Sequence, residues 1–255
     1  MKEIGSKKSS ISLDEEWAEL SAELCGPRFI KSLGDFIKSN RVQTLLECAC
    51  GDGHVLNGIS KIIRSGVGID SSDYFIRRAQ DQNSQPNLIF KKLDVLRIDR
   101  DDDLKNHFFD AVIMRGNSIS SLGAWGTNIE TFNSKRCEQA VREALIKMWG
   151  KIRDGGLLYL DVARQEDIDK GSHDFKIDIG EIHLVAQINL DIEKKRRDVF
   201  GDGMVNGKAF SGGSSSYLIN PKELKDVLVE LLHPMEIWSP NEVKDSMYKI
   251  ICARK

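Results

Sequence analysis

Short apolar segments, each followed by glycine or an acidic residue, recur along the first two thirds of this chain. Those predicted to be buried strands are 42–48, 66–70, 87–93, 109–114 and 157–161. The segments between them that are predicted to be helices are 54–64, 72–82 and 134–152. Strands that alternate with helices at this spacing form βαβ units, because parallel neighbours need a crossover connection. The sequence therefore predicts an α/β fold with a mainly parallel sheet and helices on both faces.

The pattern changes after the fifth strand. Residues 183–192 alternate between apolar and polar side chains, which indicates a strand with one solvated face. Further strand-like segments lie near 175–179 and 197–210, and the glycines at 201, 203, 212 and 213 are predicted to form turns. We therefore expect an antiparallel β insertion after strand five. The core then resumes with a helix that begins after Asn220 and a last strand over 246–253.

The chain divides into four predicted parts. They are 1–40, a tail and two helices (14–24 and 27–39) that act as a lid; 41–171, the ligand-binding core; 172–218, the antiparallel insertion that covers the substrate; and 219–255, the C-terminal helix and last strands of the core.

Composition excludes several classes of protein. The 37 Lys+Arg are balanced by 39 Asp+Glu, so the basic excess of a nucleic-acid binder is missing. No apolar run is long enough for a membrane span, and the first residues lack the apolar core of a secretory signal. The five cysteines have no framework or metal-site spacing, which predicts reduced structural thiols, no metal centre and a cytoplasmic protein.

The segment Glu47 to Gly53 lies between the first strand and the first helix. Glycines there allow a ligand to approach the backbone, and the helix N-terminus offers free N–H groups. Asp70, at the end of strand two, can accept hydrogen bonds from both hydroxyls of a ribose. Asp94, after strand three, can accept one from the exocyclic amine of adenine. The carboxyl ends of the early strands are thus the predicted ligand site.

Two adenosine-containing cofactors, NAD and a sulfonium nucleoside, have groups that these acids could bind. A dinucleotide fold favours a third glycine where this chain has Leu56, and Glu47 would repel a pyrophosphate. The same carboxylate suits the cationic amino-acid group of S-adenosylmethionine (SAM). The pattern thus favours SAM over NAD and disfavours an oxidoreductase.

The sequence resembles the class I SAM-dependent methyltransferases over about residues 27–165. The motifs that carry the resemblance are LLECACGDG, GVGID, KKLDV, FDAVIMRGNSIS and IRDGGLLYLD. It implies a Rossmann-like seven-stranded sheet with the last strand antiparallel, SAM as methyl donor and S-adenosylhomocysteine (SAH) as product. The implied cofactor contacts are Arg28, Glu47, Ala49, Gly51, Gly53, Asp70, Ser71, Asp94, Val95, Met114 and Arg115.

A narrower resemblance is to glycine and sarcosine N-methyltransferases. It rests on the ACGDG turn, the GNSISSL stretch after strand four and the GGLLYLD segment of strand five. It implies that Asn117 and Arg164 position the acceptor, although Arg164 stands one residue later than the family's arginine. Arg28 is the nearest counterpart of the arginine that holds the SAM carboxylate.

The expected reaction is in-line transfer of the sulfonium methyl group to a small molecule, most simply to an amine nitrogen. An amine needs only to be neutral when it attacks, whereas a hydroxyl needs a base such as His54 or His183. The alternatives are a small-molecule or natural-product O-methyltransferase and a SAM-binding protein without catalysis. The expected partner is the methyl acceptor rather than nucleic acid or a membrane, with a homo-oligomer left open.

Overall fold

The computed structural model describes residues 26–125, 130–205, 207–241, 243 and 248–255. The predicted tail, the predicted helix over 14–24 and Cys25 lie outside these residues. So do the first two positions of the predicted last strand.

Strands and helices alternate through the first part of the chain, as expected. The strands are β1 (Thr44–Cys48), β2 (Ser65–Asp70), β3 (Leu88–Lys92), β4 (Phe109–Met114), β5 (Ile152–Ala163), β6 (His173–Ile179), β7 (Ile182–Asp191), β8 (Arg196–Val205), β9 (Lys208–Tyr217), β10 (Glu236–Trp238) and β11 (Tyr248–Arg254). The helices are α1 (Pro27–Ser39), α2 (His54–Ile59), α3 (Asp73–Gln82), α4 (Ser118–Ser121), α5 (Ser134–Gly150), α6 (Gln165–Asp169) and α7 (Pro221–Leu232), with a 3₁₀ turn at Val95–Arg97.

Seven strands form the core sheet in the order β10-β11-β5-β4-β1-β2-β3. Strand β1 pairs in parallel with β2 and β4, β2 with β3, and β4 with β5. Strand β11 runs antiparallel to β5. The predicted seven-stranded, mainly parallel, Rossmann-like sheet with an antiparallel last strand is confirmed.

Helices cover both faces of this sheet. On one face α1, α2 and α3 pack over a cluster that includes Phe36 and Leu45. On the other face α5 and α7 pack over a cluster that includes Leu46 and Leu145. Successive residues of a strand point to opposite faces, so Leu45 and Leu46 belong to different clusters. All of β1 is buried, including Thr44 and the acid Glu47, as expected for a central strand covered on both faces.

Local sequence sets the starts of the main helices. Pro27 occupies the first turn of α1, where its missing N–H is not needed. The side chains of Ser72, Asn133 and Asn220 each accept a backbone N–H at the start of α3, α5 and α7. Such caps satisfy amides that have no partner within the helix.

The remaining four strands form a separate antiparallel sheet in the order β6-β7-β8-β9. This confirms the predicted antiparallel insertion after strand five. The turns predicted at its glycines are wrong, because Gly201 and Gly203 lie inside β8 while Gly212 and Gly213 lie inside β9. A Cβ on Gly201 would meet the Phe210 ring at 2.8 Å, and one on Gly213 would meet the Phe200 ring at 2.4 Å. The rings therefore occupy the space left by the missing side chains.

Two boundaries in the core also differ from expectation. Helix α5 ends at Gly150, and β5 already begins at Ile152, so the glycines at 155 and 156 are part of the strand rather than a helix stop. A Cβ on Gly156 would lie 2.7 Å from the carbonyl oxygen of Asp110, so only glycine allows this close pairing. Helix α2 ends at Ile59, five residues before the predicted end at Arg64.

Cysteines within the described residues are buried as free thiols; these are Cys48, Cys50, Cys137 and Cys252. Burial raises the pKa of both Cys48 and Cys50, so neither is a thiolate at neutral pH. Among the described residues there is no cluster of metal-ligating side chains. Within the same part of the chain, no helix is long and apolar enough to cross a bilayer.

Candidate active site

The carboxyl end of β1 carries a buried acid beside an arginine. Glu47 is 1% exposed, and Arg115, directly after β4, places its Nε 3.3 Å from Oε1. The Arg115 guanidinium also lies 4.7 Å from the centre of the Phe29 ring on α1. Burial raises the pKa of Glu47, although the charges of Arg115 and His54 oppose the shift.

The second carboxylate oxygen of Glu47 is buried and has no hydrogen-bond partner among the described residues. A buried acceptor without a donor costs about 1–3 kcal/mol, and more when it is charged. A cationic donor from outside the chain, such as a primary ammonium group, would remove that cost.

The turn after β1 contains two glycines with different tasks. Both have left-handed backbones, with φ of 56° at Gly51 and 73° at Gly53. A Cβ on Gly51 would meet nothing within 4 Å, whereas one on Gly53 would lie 2.4 Å from the Phe90 ring. Gly51 thus leaves the backbone open to a ligand, while Gly53 is required for packing of α2 against β3. Ala49 adopts a left-handed conformation as well, with φ of 54°.

Asp70 joins this turn to the end of β2. Its carboxylate accepts the Gly51 N–H at 3.0 Å and the Ser72 N–H at 2.9 Å, one on each oxygen. An ionised carboxylate can accept about four hydrogen bonds, so this carboxylate can also accept from ligand hydroxyls. The side chain is half-buried, and Ser71 beside it is exposed.

A second acid of the turn, Asp52, was not among the predicted site residues. It is 3% exposed and lies 3.3 Å from Arg78 Nε and 3.4 Å from His54 Nδ1. Burial raises the pKa of Asp52, but hydrogen bonds from His54 and the charges of His54 and Arg78 lower it by more. The net pKa of Asp52 is therefore below its ordinary value. The carboxylate thereby links the turn to α2 and α3.

Other predicted cofactor residues lie around this edge with varied exposure. Asp94 is exposed and accepts the Leu96 N–H at 2.9 Å, so it caps the 3₁₀ turn and keeps its other oxygen available. Val95 and Met114 are buried in the core. Arg28 is exposed on the first turn of α1, next to Phe29.

The ends of β4 and β5 form a second cluster around Asn117. Asn117 is 5% exposed with φ of 59°, and its backbone N–H donates to Asp161 Oδ1 at 2.7 Å. Its side-chain oxygen accepts from Ser120 Oγ at 2.8 Å, and no described residue accepts from its amide nitrogen. Arg164 is half-buried three residues beyond Asp161. Asp161, which is fully buried in β5, was not among the predicted site residues, although an acid after the apolar run 157–160 is a signal that the sequence contains.

The segment from β1 to α4 contains Glu47, Arg115, the glycine turn, Asp70 and Asn117. Residues 46–123 match the family model of a methyltransferase domain. This region is similar to a methyltransferase domain. The match confirms the prediction of a methyl-transferring enzyme, and it spans the glycine turn, Asp70, Asp94 and Asn117.

Solved methyltransferases share the fold over nearly the whole chain. SAM-bound CalS10, an amino pentose methyltransferase from Micromonospora echinaspora, is 16% identical with a TM-score of 0.67, covering 98% of this chain and 99% of its own. The sugar N-methyltransferase KedS8 from Streptoalloteichus sp. is 15% identical with a TM-score of 0.66, covering 100% and 97%. A SAM-dependent methyltransferase from Clostridium acetobutylicum is 13% identical with a TM-score of 0.64, covering 89% of each chain.

These likenesses confirm the predicted Rossmann-like fold. The antiparallel insertion is included, since the match to KedS8 covers the full chain. No curated protein is similar in sequence at a significant level.

Proposed function

We propose that this methyltransferase transfers the methyl group of SAM to an amine nitrogen of a small molecule. The observation that carries the proposal is the buried Glu47 oxygen without a partner, beside the open backbone of Gly51. Glu47 offers an acceptor for the ammonium group of SAM, and Gly51 leaves space for the rest of the cofactor. A pyrophosphate would meet the same carboxylate with unfavourable charge.

We assign a different part of the cofactor to each side chain at this edge of the sheet. Glu47 holds the ammonium group and Asp70 the ribose hydroxyls, while Asp94 accepts from the adenine amine. Arg28 and Arg115 are the cations near the carboxylate end. The remaining contacts are those of the turn and strand ends, Ala49, Gly51, Gly53, Ser71, Val95 and Met114.

The reaction needs positioning more than covalent help. When bound, SAM supplies an electrophilic methyl group on a good leaving group. Alignment of the acceptor can then lower the barrier by up to about 7–11 kcal/mol. The amide nitrogen of Asn117 and the guanidinium of Arg164 lie after β4 and β5, and we assign them to orient the acceptor.

The positions of the histidines favour an amine over a hydroxyl acceptor. His54 faces Asp52, and His183 is exposed on the insertion beside Asp178. Neither lies in the Asn117 cluster, where a base for a hydroxyl would be needed. An O-methyltransferase is therefore the second candidate, and a SAM-binding protein without catalysis is the third.

Two elements would enclose the acceptor. Helix α1 contacts the cofactor edge through Phe29, which supports residues 1–40 as the lid. Strand β9 packs against α4, directly after Asn117, which supports 172–218 as the substrate cover. The acceptor is a small molecule rather than nucleic acid or a membrane component. We expect a cytoplasmic enzyme.

The proposal is tested by calorimetry with SAM, SAH and NAD, followed by transfer of labelled methyl groups. We expect micromolar binding of SAM and SAH and none of NAD. Label should pass to amines, amino acids or amino sugars in preference to matched alcohols. Binding of SAH without transfer to any acceptor class would favour the non-catalytic candidate, and failure to bind either sulfur ligand would refute the proposal.

Substitution Glu47→Gln is expected to weaken SAM and SAH binding by about 10- to 100-fold, because a charge-assisted hydrogen bond becomes an amide facing an ammonium group. In the parent protein, affinity should fall on acidification as Glu47 takes up a proton. Since its pKa is raised, this fall starts at a higher pH than for an ordinary glutamate.

The glutamine variant should lack that pH dependence. Glu143→Gln, on the outer side of α5, is the matched control and should leave both affinity and pH profile unchanged. Calorimetry between pH 5 and pH 8 measures both effects. An identical profile in Glu47→Gln and the parent would contradict the assignment.

A further inference from the structure

Two adjacent arginines of the insertion differ in their surroundings. Arg196 and Arg197 are consecutive in β8, so their side chains point to opposite faces of the sheet. Arg196 pairs with the buried Asp198 at 3.0 Å and approaches Asp191 at 3.9 Å. Arg197 is half-buried, and no described residue forms a hydrogen bond or an ion pair with its guanidinium. Arg196 is thus structural, whereas Arg197 has no acceptor for its guanidinium among the described residues.

The register of β8 places Arg197 at the end of the insertion that adjoins the core. Arg197 pairs with Leu190 of β7 and Ser216 of β9, one residue before Tyr217 enters the core cluster. Ser216 Oγ donates to the Arg197 carbonyl oxygen at 3.2 Å. This part of the strand is therefore held firmly by its neighbours.

Among the described residues, the charged and titratable groups that act on the guanidinium come from two core elements. They are Tyr248, at the start of β11, and Asp167 of α6. Asp167 already pairs with Lys170 at 2.8 Å, and a tyrosine hydroxyl is neutral at physiological pH. The local charge around Arg197 therefore remains positive, and burial lowers its pKa without removing the charge of an arginine.

Tyr248 connects this cation with the candidate active site. It pairs with Ala163 of β5, two residues beyond Asp161, which accepts the Asn117 N–H. Two residues of a strand span about 6.6 Å. Strand β11 lies three strands from β1, or about 14 Å from the Glu47 side of the sheet edge. Both distances, about 6.6 Å along β5 and about 14 Å across the sheet, are short enough for one small-molecule acceptor to span.

We propose that Arg197 binds an oxyanion group, a carboxylate or a phosphate, on the methyl acceptor. The inference rests on the proposed function and narrows its substrate class to anionic amines. A guanidinium can bind either group through two parallel hydrogen bonds, and the half-buried site strengthens them. The anion would also supply the acceptor that Arg197 lacks.

The test uses the full chain loaded with SAH and measures binding by calorimetry. The probes are pairs of amines matched in chain length that differ only in the anionic group: 4-aminobutyrate against butylamine, 6-aminohexanoate against hexylamine, and 2-aminoethyl phosphate against ethanolamine. We expect at least one compound with a carboxylate or phosphate to bind about 10- to 100-fold more tightly than the partner that lacks this group. The first two pairs report on a carboxylate and the third on a phosphate.

Arg197→Gln should abolish this preference while leaving SAH affinity unchanged, and Arg197→Lys should retain part of it. Lys194→Gln, which removes an exposed cation of the turn between β7 and β8, is the matched control and should retain all of it. Thermal melts establish that each variant is folded. No anionic preference in the parent protein, or a preference that survives in Arg197→Gln, would overturn the inference alone. Failure of the parent protein to bind SAH would overturn the proposed function together with it.

Discussion

Replacement of Asp70 by asparagine is expected to lower the affinity for SAM and SAH by about 100-fold, or about 2.7 kcal/mol. Each carboxylate oxygen accepts one backbone N–H, from Gly51 or Ser72, and we assign the carboxylate to the ribose hydroxyls of the cofactor. An asparagine amide would turn an NH₂ group toward one of these donors. It would therefore lose a ligand contact and disturb the glycine turn together. Calorimetry with SAH measures the loss directly.

Asp73→Asn is the matched control for this variant. Asp73 lies three residues away, is exposed and pairs with Lys92 across the surface. Its replacement should leave SAH affinity within about twofold, because surface ion pairs contribute little. Equal affinities in Asp70→Asn and Asp73→Asn would refute the ribose role of Asp70.

Gly53→Ala is expected to lower the free energy of unfolding by about 2–4 kcal/mol. The left-handed backbone at φ of 73° costs an alanine about 1 kcal/mol, and the methyl group would lie 2.4 Å from a ring carbon of Phe90. Phe90 is 5% exposed and has little space to move. Urea unfolding measures the change. Adding Phe90→Leu should make the double variant less unstable than the sum of the single changes.

Gly51→Ala separates this packing effect from ligand binding. The backbone has a similar left-handed conformation, but the added methyl group meets no atom within 4 Å. We expect a stability loss of only about 1 kcal/mol and a clear loss of SAH affinity, because the methyl group occupies the space of the ligand. If Gly51→Ala destabilised the fold as much as Gly53→Ala, the assignment of different tasks would be wrong.

The parallel core could be predicted because its signals are local. Each buried strand is a short apolar run, and the glycine or acid that follows it marks the turn. The errors arose where a partner far along the chain decides the conformation. Gly156 is part of a strand because the Asp110 carbonyl group approaches it, and Gly201 and Gly213 are covered by rings from neighbouring strands. Strand β10 is only three residues long and carries too little pattern for prediction.

The candidate site shows the same division. Glu47, Gly51 and Asp70 come after predicted strands, so topology alone brings them to one edge. The partners that give these residues their properties come from other elements: Phe29 against Arg115, and Arg78 against Asp52. Arg197 could not be singled out, since only the register of β8 distinguishes it from Arg196.

The connection between β5 and β11 has a consequence for folding kinetics. All four strands of the insertion follow one another directly, so its hairpins close over short loops. Strand β5 gains its second neighbour only when β11 arrives, after the insertion and α7 have passed. Until then the apolar β5 presents an unpaired edge, which is a template for intermolecular pairing. Aggregation during refolding should therefore begin at β5, and the yield should fall as the protein concentration rises.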